Sequence, residues 1–200
     1  MGCGSGKWLY KAAQEGCTNL FGCDPFLENE IHYGDRVHIK NCSIHEMDGD
    51  GTFDMIMMQD SFEHVTDPKE VLKSARRLLN DEGFLFISLP IFPNMAFDMY
   101  GPHWYALDAP RHIFLHSINS LNYLFDECGF SITGLKYDAI NSMLVFSFFY
   151  QHGVPRKEIT DVLINTYFPD EYILQINDTV EKANRNQRGD HIKMTLRKKF

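Results

Sequence analysis

Apolar and polar positions change period repeatedly along the first half of the chain. Continuous or alternating apolar runs, which predict strands, cover residues 20–23, 37–40, 53–58 and 84–89. Helical periodicity follows residues 7–15 and residues 68–79, and Pro68 suits a first helical position. Strands that alternate with helices predict a parallel sheet with helical crossovers.

The second half begins with the same alternation of helix and strand, and a run of helices then separates its two predicted strands. It predicts a helix over 118–128, strands over 131–139 and 191–198, and helices between them over 141–152, 156–167 and 170–187. We therefore predict one α/β domain over residues 1–200. Its Rossmann-like, mostly parallel sheet has helices on both faces, and a helical insertion over 141–187 precedes the last strand.

Composition narrows the class of protein. Apolar residues make up 44% of the chain and charged residues 23%, as in an ordinary globular protein, and the net charge is −8. That charge argues against nucleic acid as a partner. Five cysteines without a CxxC pair favour a reducing, cytoplasmic location. The longest apolar run, residues 143–150, is far too short to span a membrane.

Three glycines alternate at the start of the chain, at Gly2, Gly4 and Gly6. The spacing does not fit the dinucleotide fingerprint GxGxxG, and Trp8 stands where a P-loop needs Ser or Thr. A GxGxG loop that lets an adenosine-bearing ligand approach the backbone remains, with a plain tight turn as the alternative. Asp24 follows the next strand and could accept hydrogen bonds from ribose hydroxyls, or cap a helix.

Several ordered segments together carry a family resemblance. They are the glycine loop, Gly22-Cys23-Asp24, residues 53–65, Asp67-Pro68 and residues 81–88. Their combination, from residue 1 to about 135, closely resembles the class I S-adenosylmethionine-dependent methyltransferases. Residues 101–104, 108–112 and 128–130 are similar to a subgroup of small-molecule methyltransferases that includes relatives of the quinone-biosynthesis O-methyltransferases.

The resemblance implies S-adenosylmethionine as cofactor and assigns residues to it. Gly2, Gly4 and Gly6 would contact its methionine and ribose parts, and Asp24 would hold the ribose hydroxyls. The adenine segment corresponds to Cys42, Ser43 and Ile44, and the methionine end to Gln59 and Asp60. Many relatives carry Asp where Cys42 stands, so Ser43 or the backbone would have to bind the adenine amino group.

The resemblance also implies a central strand directly before Gly2. That strand would lie between the strands that end at Asp24 and Gln59, and no residues of this sequence supply it. We expect those two strands not to pair directly. Residues further upstream in the natural protein, or another segment, would fill the space between them.

Methylation at oxygen requires removal of a proton, for which histidine suits neutral pH. The candidates are His64, His103 and His112. Asp60, Glu63 and His64 face one way at a helix start, which allows a general base or a divalent-metal site. Simple packing at the helix start is the third alternative, and we assign no metal.

The loop after the strand 84–89 is rich in aromatic residues. We expect Phe92 and Trp104 to help form a lid over the acceptor, with core packing as the alternative. Arg111 could bind an acidic group of the acceptor or pair with Asp108. We expect the insertion 141–187 to close the acceptor pocket or to mediate contacts in a homodimer.

Two functions of different classes follow. The first is a methyltransferase that acts on a small-molecule acceptor, at oxygen. The second is a methyltransferase-like scaffold without activity, which the absent strand and Cys42 would favour. Methylation of nucleic acid is disfavoured by the charge, and by Gln59-Asp60-Ser61-Phe62 where an Asn/Asp-Pro-Pro-aromatic segment would be needed.

Overall fold

A computed structural model describes all residues of the chain, 1–200. Helices and strands both occur through the first half, and two pairs of neighbouring strands are parallel, which confirms the α/β class. The strands are β1 (Leu20–Cys23), β2 (Ile31–Tyr33), β3 (Val37–Lys40), β4 (Phe53–Gln59), β5 (Leu79–Pro90), β6 (Phe130–Tyr137) and β7 (His191–Lys198).

Seven helices accompany these strands. They are α1 (Lys7–Gln14), α2 (Pro68–Leu78), α3 (Met95–Tyr100), α4 (Ile118–Glu127), α5 (Ser142–Gln151), α6 (Asp161–Tyr167) and α7 (Asp170–Arg185). Asp67 caps α2 by accepting a 3.1 Å hydrogen bond from the backbone N–H of Glu70. None of the seven combines the length and hydrophobicity that a membrane crossing requires.

The strands form two separate sheets. In the first, β3 lies between a parallel β1 and an antiparallel β2. In the second, the order is β4-β5-β7-β6, with β4 parallel to β5 and with antiparallel pairs on both sides of β7. The sheets are therefore mixed, and their parallel pairs place the ends of β1, β3, β4 and β5 on the side where ligands bind in such folds.

An apolar groove separates β1 from β4, as expected from the absent central strand. Its volume is about 440 Å³, and mostly hydrophobic residues of α1, β1 and β4 line it. The terminal nitrogen of Met1 donates to Met57 O at 2.8 Å, and Gly2 N donates to Cys23 O at 2.9 Å. Residues 1 and 2 thus connect the two sheets only near the carboxyl ends of β1 and β4.

Three features differ from the sequence-based expectation. β5 begins at Leu79 and not at residue 84 as the pattern predicts, and residues 80–83 form an irregular, bulge-like stretch inside the strand: Leu79 pairs with Phe53, and Phe84 with Met55. The loop after β5 contains the short helix α3, and β2 adds a strand beside β3. Such short elements depend on tertiary contacts more than on periodicity.

The helices between β6 and β7 build their own apolar core. Trp104, only 1% exposed, packs in this cluster with Met143, Leu144 and Val180. Its indole Nε1 donates a 2.8 Å hydrogen bond to Asp190, directly before β7. The insertion is therefore anchored to the start of the last strand.

Candidate functional site

The glycine loop turns through a left-handed backbone at all three glycines. Gly2, Gly4 and Gly6 have φ of 66°, 51° and 73°, a region that L side chains rarely adopt. A side chain at Gly6 would also collide with Ile39, whereas a Cβ added to Gly4 would meet no atom within 4 Å. The space beside Gly4 is therefore open to a ligand.

Asp24 lies directly beneath this loop. Its Oδ2 accepts a 2.8 Å hydrogen bond from Gly4 N, and its Oδ1 accepts a 3.0 Å bond from Phe26 N. A carboxylate has about four acceptor positions, so two remain for further donors such as sugar hydroxyls. The sequence predicts that the glycine loop and Asp24 hold one ligand together, and the two are in direct contact.

The segment after β3 holds the predicted adenine-binding residues. Ser43 N and Ser43 Oγ both donate to Glu46 Oε2, at 2.8 and 2.7 Å, which lowers the pKa of Glu46. Cys42 is half-buried beside Met47, and Ile44 is buried in the main core. Ser43 Oγ is left with its acceptor lone pairs, as required to bind an amino group.

Gln59 is the last residue of β4, and Asp60 follows it. Asp60 has a φ of 48°, unusual for a residue with a side chain. Its N–H donates to Ser88 O on β5 at 2.9 Å, and its Oδ1 lies 2.7 Å from Nε2 of His191. Both Gln59 and Asp60 also line the apolar groove.

A second, polar cavity of about 480 Å³ opens on the other side of Asp60. Gln59 and Asp60 line it together with Glu63, Arg111, His112, Tyr150, Arg156, Asp190, His191 and Lys193, among others. Its lining comes from the ends of β4 and β5, the loop before α4, the insertion and β7. Gln59 and Asp60 therefore stand where the groove and the cavity meet.

Glu63, His64 and His112 form a cluster at the edge of this cavity. The backbone carbonyl of Glu63 accepts a 2.9 Å hydrogen bond from Ile113 N, which holds the loop carrying His112 against the end of β4. Burial raises the pKa of Glu63 to about 7 and lowers the pKa of His112. One ligand atom from each of the three residues lies within 4.8 Å of the others.

Other candidates from the sequence are placed differently. Arg111 lines the polar cavity, and its guanidinium forms an ion pair with Asp108. Trp104 is buried against Asp190, and Phe92 packs edge-on against Phe97 with ring centroids 4.9 Å apart. His103 is exposed, and neither the groove nor the polar cavity includes it, Trp104 or Phe92.

Sequence reasoning did not assign a role to His191. The sequence did contain an indication of such a role, because the predicted last strand begins at His191. β7 runs antiparallel to β5, with His191 opposite Pro90, so the first residue of β7 lies at the carboxyl end of β5. A polar residue at that position reaches the ligand-binding edge of the sheet.

Comparison with known proteins agrees with this geometry. A family model described as a methyltransferase domain matches residues 1–135. No curated protein matches the chain. One similar structure is an S-adenosylmethionine-dependent methyltransferase from Archaeoglobus fulgidus, at 19% identity and a TM-score of 0.58, covering 99% of this chain and 83% of that one.

Two further solved structures share the fold. The Burkholderia thailandensis 1,6-didemethyltoxoflavin-N1-methyltransferase, solved with its namesake compound and S-adenosylhomocysteine, is 17% identical at a TM-score of 0.56. The match covers 100% of this chain and 69% of that one. The cyclase SpnF is 15% identical at a TM-score of 0.59, with coverage of 99% and 72%. At these identities the likeness shows the fold.

Because the family model spans more than half of its residues, the chain belongs to the methyltransferase-domain family. The protein is an enzyme of this family. Of the similar structures, one contains S-adenosylhomocysteine and another is described as dependent on S-adenosylmethionine. This favours the enzyme over the scaffold that the sequence left as an alternative.

Proposed function

We propose that this methyltransferase methylates an oxygen atom of a small polar molecule bound in the cavity beyond Asp60. The observation that carries the proposal is the shared position of Gln59 and Asp60. They line the apolar groove, whose lining also includes Gly2 and Gly6 of the glycine loop, and they line the polar cavity. A cofactor on one side would thus meet an acceptor on the other at this junction.

The residues present fit the cofactor. The open space beside Gly4 and the two unused acceptor positions of Asp24 suit a nucleoside, and Ser43 and Ile44 follow at the end of β3. Gln59 and Asp60 would hold the methionine part, where a carboxylate stabilises positive charge. When bound, S-adenosylmethionine supplies an activated methyl group, and the protein contributes mainly alignment of the two reactants.

The polar cavity suits a small, hydroxylated acceptor. Its volume of about 480 Å³ lies within the usual range of ligand pockets. Carboxylates, Arg156 and Lys193 line the cavity. Phe92 and Trp104, which the sequence predicts in an aromatic lid, are not among its lining residues. Tyr150 and Arg156 come from the insertion 141–187, and we propose that this insertion closes the acceptor cavity.

The proton of the acceptor hydroxyl needs a base. His191 Nε2–H donates to Asp60 Oδ1, which leaves the lone pair of Nδ1 available. The carboxylate orients the imidazole and stabilises it once it is protonated. We therefore assign His191 as the proton acceptor and Asp60 as the residue that positions it. His64, His112 and His103 stay sequence-based predictions for that role.

The finer parts of the assignment remain predictions. They are the similarity to quinone-biosynthesis O-methyltransferases, a single domain over 1–200, a homodimer, a cytoplasmic location and the exclusion of nucleic acid.

The test is transfer of a labelled methyl group. The full chain is incubated with methyl-labelled S-adenosylmethionine and a panel of phenols, hydroxy acids and matched amines. We expect label on oxygen of at least one hydroxylated acceptor, with equimolar S-adenosylhomocysteine, and no transfer by Asp24→Asn at low cofactor concentration. Transfer confined to the amines would contradict methylation at oxygen.

A further inference from the structure

Glu63, His64 and His112 bring three ligand-bearing side chains together from distant parts of the chain. Glu63 and His64 are consecutive after β4, and His112 comes from the loop before α4. Their ligand atoms lie within 4.8 Å of one another. Backbone hydrogen bonds between the loop and Glu63 fix this approach, so the cluster is built by the fold.

The two imidazoles are held in the same tautomer. Nδ1 of His64 lies 2.8 Å from Arg111 O, and Nδ1 of His112 lies 2.8 Å from Ala106 O. A carbonyl oxygen can only accept, so each Nδ1 carries the hydrogen and each neutral ring has its lone pair on Nε2. Histidines that bind metals are commonly supported in this way, through the nitrogen that does not bind the ion.

With Glu63 ionised and both rings neutral, the cluster contains acceptors only. His112 Nε2 is 3.8 Å from Glu63 Oε1 and 3.8 Å from Asp108 Oδ2, too far for hydrogen bonds. Glu63 is 1% exposed, and its Oε2 is fully buried without any hydrogen-bond partner. Buried polar atoms are rarely left unpaired, so this arrangement calls for a cation between the three side chains.

We propose that Glu63, His64 and His112 bind a divalent transition-metal ion through one carboxylate oxygen and the two Nε2 atoms. Two imidazole nitrogens favour zinc, cobalt or iron over magnesium and calcium, which prefer oxygen ligands. Bonds of about 2.1 Å allow ligand atoms at most about 4.2 Å apart, so the cluster must contract slightly when the ion binds.

This set differs from the one that the sequence suggested. Asp60 is hydrogen-bonded to His191 and is not part of the cluster, and His112 takes its place. Glu63 and His112 also line the polar cavity. If the proposed function is correct, the ion would bind the acceptor oxygen and favour its ionised form. Metal binding itself does not depend on that function.

Cobalt titration of the metal-free full-length protein tests the site, because cobalt bound to nitrogen ligands absorbs visible light. We expect saturable binding of one ion, displaced by zinc at micromolar concentration and resistant to millimolar magnesium. Glu63→Gln and His112→Asn should each weaken cobalt binding at least tenfold. His152→Asn is the matched control, because Nδ1 of His152 also lies 2.8 Å from a carbonyl, that of Phe148, but outside any cluster.

Circular dichroism without metal shows whether each variant is folded. Binding by the wild type that is equally strong in folded His112→Asn, or that is lost in His152→Asn, would overturn the proposal. So would the absence of cobalt binding by a folded wild type. Binding of S-adenosylhomocysteine is measured on the same samples, so that failure of the metal site is distinguished from failure of the proposed function.

Discussion

Nε2 of His191 and Oδ1 of Asp60 are 2.7 Å apart, although 131 positions separate the two residues in the sequence. Asp60 directly follows β4 and His191 begins β7, so the contact joins the ends of two strands that do not pair with each other. Both residues border the polar cavity. This contact places a histidine beside Asp60, a residue that lines both the apolar groove and the polar cavity.

Replacement of that histidine tests its role as the base. His191→Asn removes the proton acceptor, and we expect kcat to fall by about 10²–10⁴-fold, the usual contribution of general base catalysis. The affinity for S-adenosylhomocysteine, measured by calorimetry, should change less than twofold. His45→Asn, at an exposed histidine beside Ser74, serves as control. Unchanged kcat in folded His191→Asn would remove this residue from the mechanism.

Asp24 is expected to contribute to cofactor affinity through its charge. Asp24→Asn keeps the size of the side chain but loses charge-assisted hydrogen bonds worth about 1.5–3 kcal/mol. We therefore expect S-adenosylhomocysteine to bind at least tenfold more weakly. Asp35→Asn, in the exposed turn between β2 and β3, should bind like the wild type. Equal affinity of the two variants would show that Asp24 does not hold the ligand.

Much of this arrangement follows from local patterns in the sequence. Gly4 and Asp24 could be assigned because a glycine loop, a helix and a strand follow each other at a spacing that resembles a known family. The gap between β1 and β4, which each pair with a different strand, was expected because no segment of the sequence supplies the central strand that the family resemblance implies. The first inference uses local spacing, and the second rests on the resemblance.

The contacts made by loops could not be predicted in the same way. The approach of His112 to Glu63 depends on the backbone hydrogen bond from Ile113, which no periodicity reveals. Trp104 was expected in a lid, but its indole finds a buried partner in Asp190. Both outcomes depend on where the loop before α4 and the insertion pack, and that is a tertiary property.

A methyl group added at Gly4 should act on ligand binding. Gly4→Ala and Gly16→Ala both place a side chain at positive φ in open space, and each should lose about 1–2 kcal/mol of stability. Only Gly4→Ala should weaken binding of S-adenosylhomocysteine, by at least tenfold, because its methyl group occupies the open space beside Gly4 where we propose that the nucleoside binds. Thermal unfolding and calorimetry measure the two effects. Equal loss of binding in both variants would indicate a general effect of backbone strain.

Asp190 should make stability depend on pH. The residue is 2% exposed, and burial raises its pKa from 3.8 to about 6 although Trp104 donates to it. As pH rises from 4, the unfolded state loses its proton first, so folding stability falls until about pH 6 and stays level above it. This rise in the pKa of Asp190 corresponds to a loss of about 3 kcal/mol in the free energy of unfolding.

Asp190→Asn isolates this contribution because it keeps an acceptor for the Trp104 indole without the charge. Its stability relative to the wild type, from urea unfolding, should increase by about 3 kcal/mol between pH 4 and pH 7. Taking the difference between the two proteins removes the contributions of other titratable groups. One of these groups is His116, whose pKa is lowered to about 4 by burial. Parallel stability profiles of the two proteins would contradict a raised pKa for Asp190.

The groove between β1 and β4 should accept an added strand. We expect a segment of about six alternating valine and threonine residues, fused before Met1, to pair with both strand edges. Each ladder hydrogen bond contributes about 1 kcal/mol, and the valines would cover the apolar lining, so the melting temperature should rise. A fused segment with proline at alternate positions lacks the donors. Identical melting of both fusions would show that the groove does not accept a strand.

The central claim concerns where the cofactor binds, and a crystal structure of the full-length protein soaked with S-adenosylhomocysteine tests it most directly. We predict electron density for the nucleoside beside Gly4, with ribose hydroxyls within hydrogen-bond distance of Asp24 and the amino-acid part near Asp60. Density for the ligand in the apolar groove alone, or its absence from a fully occupied soak, would contradict the account.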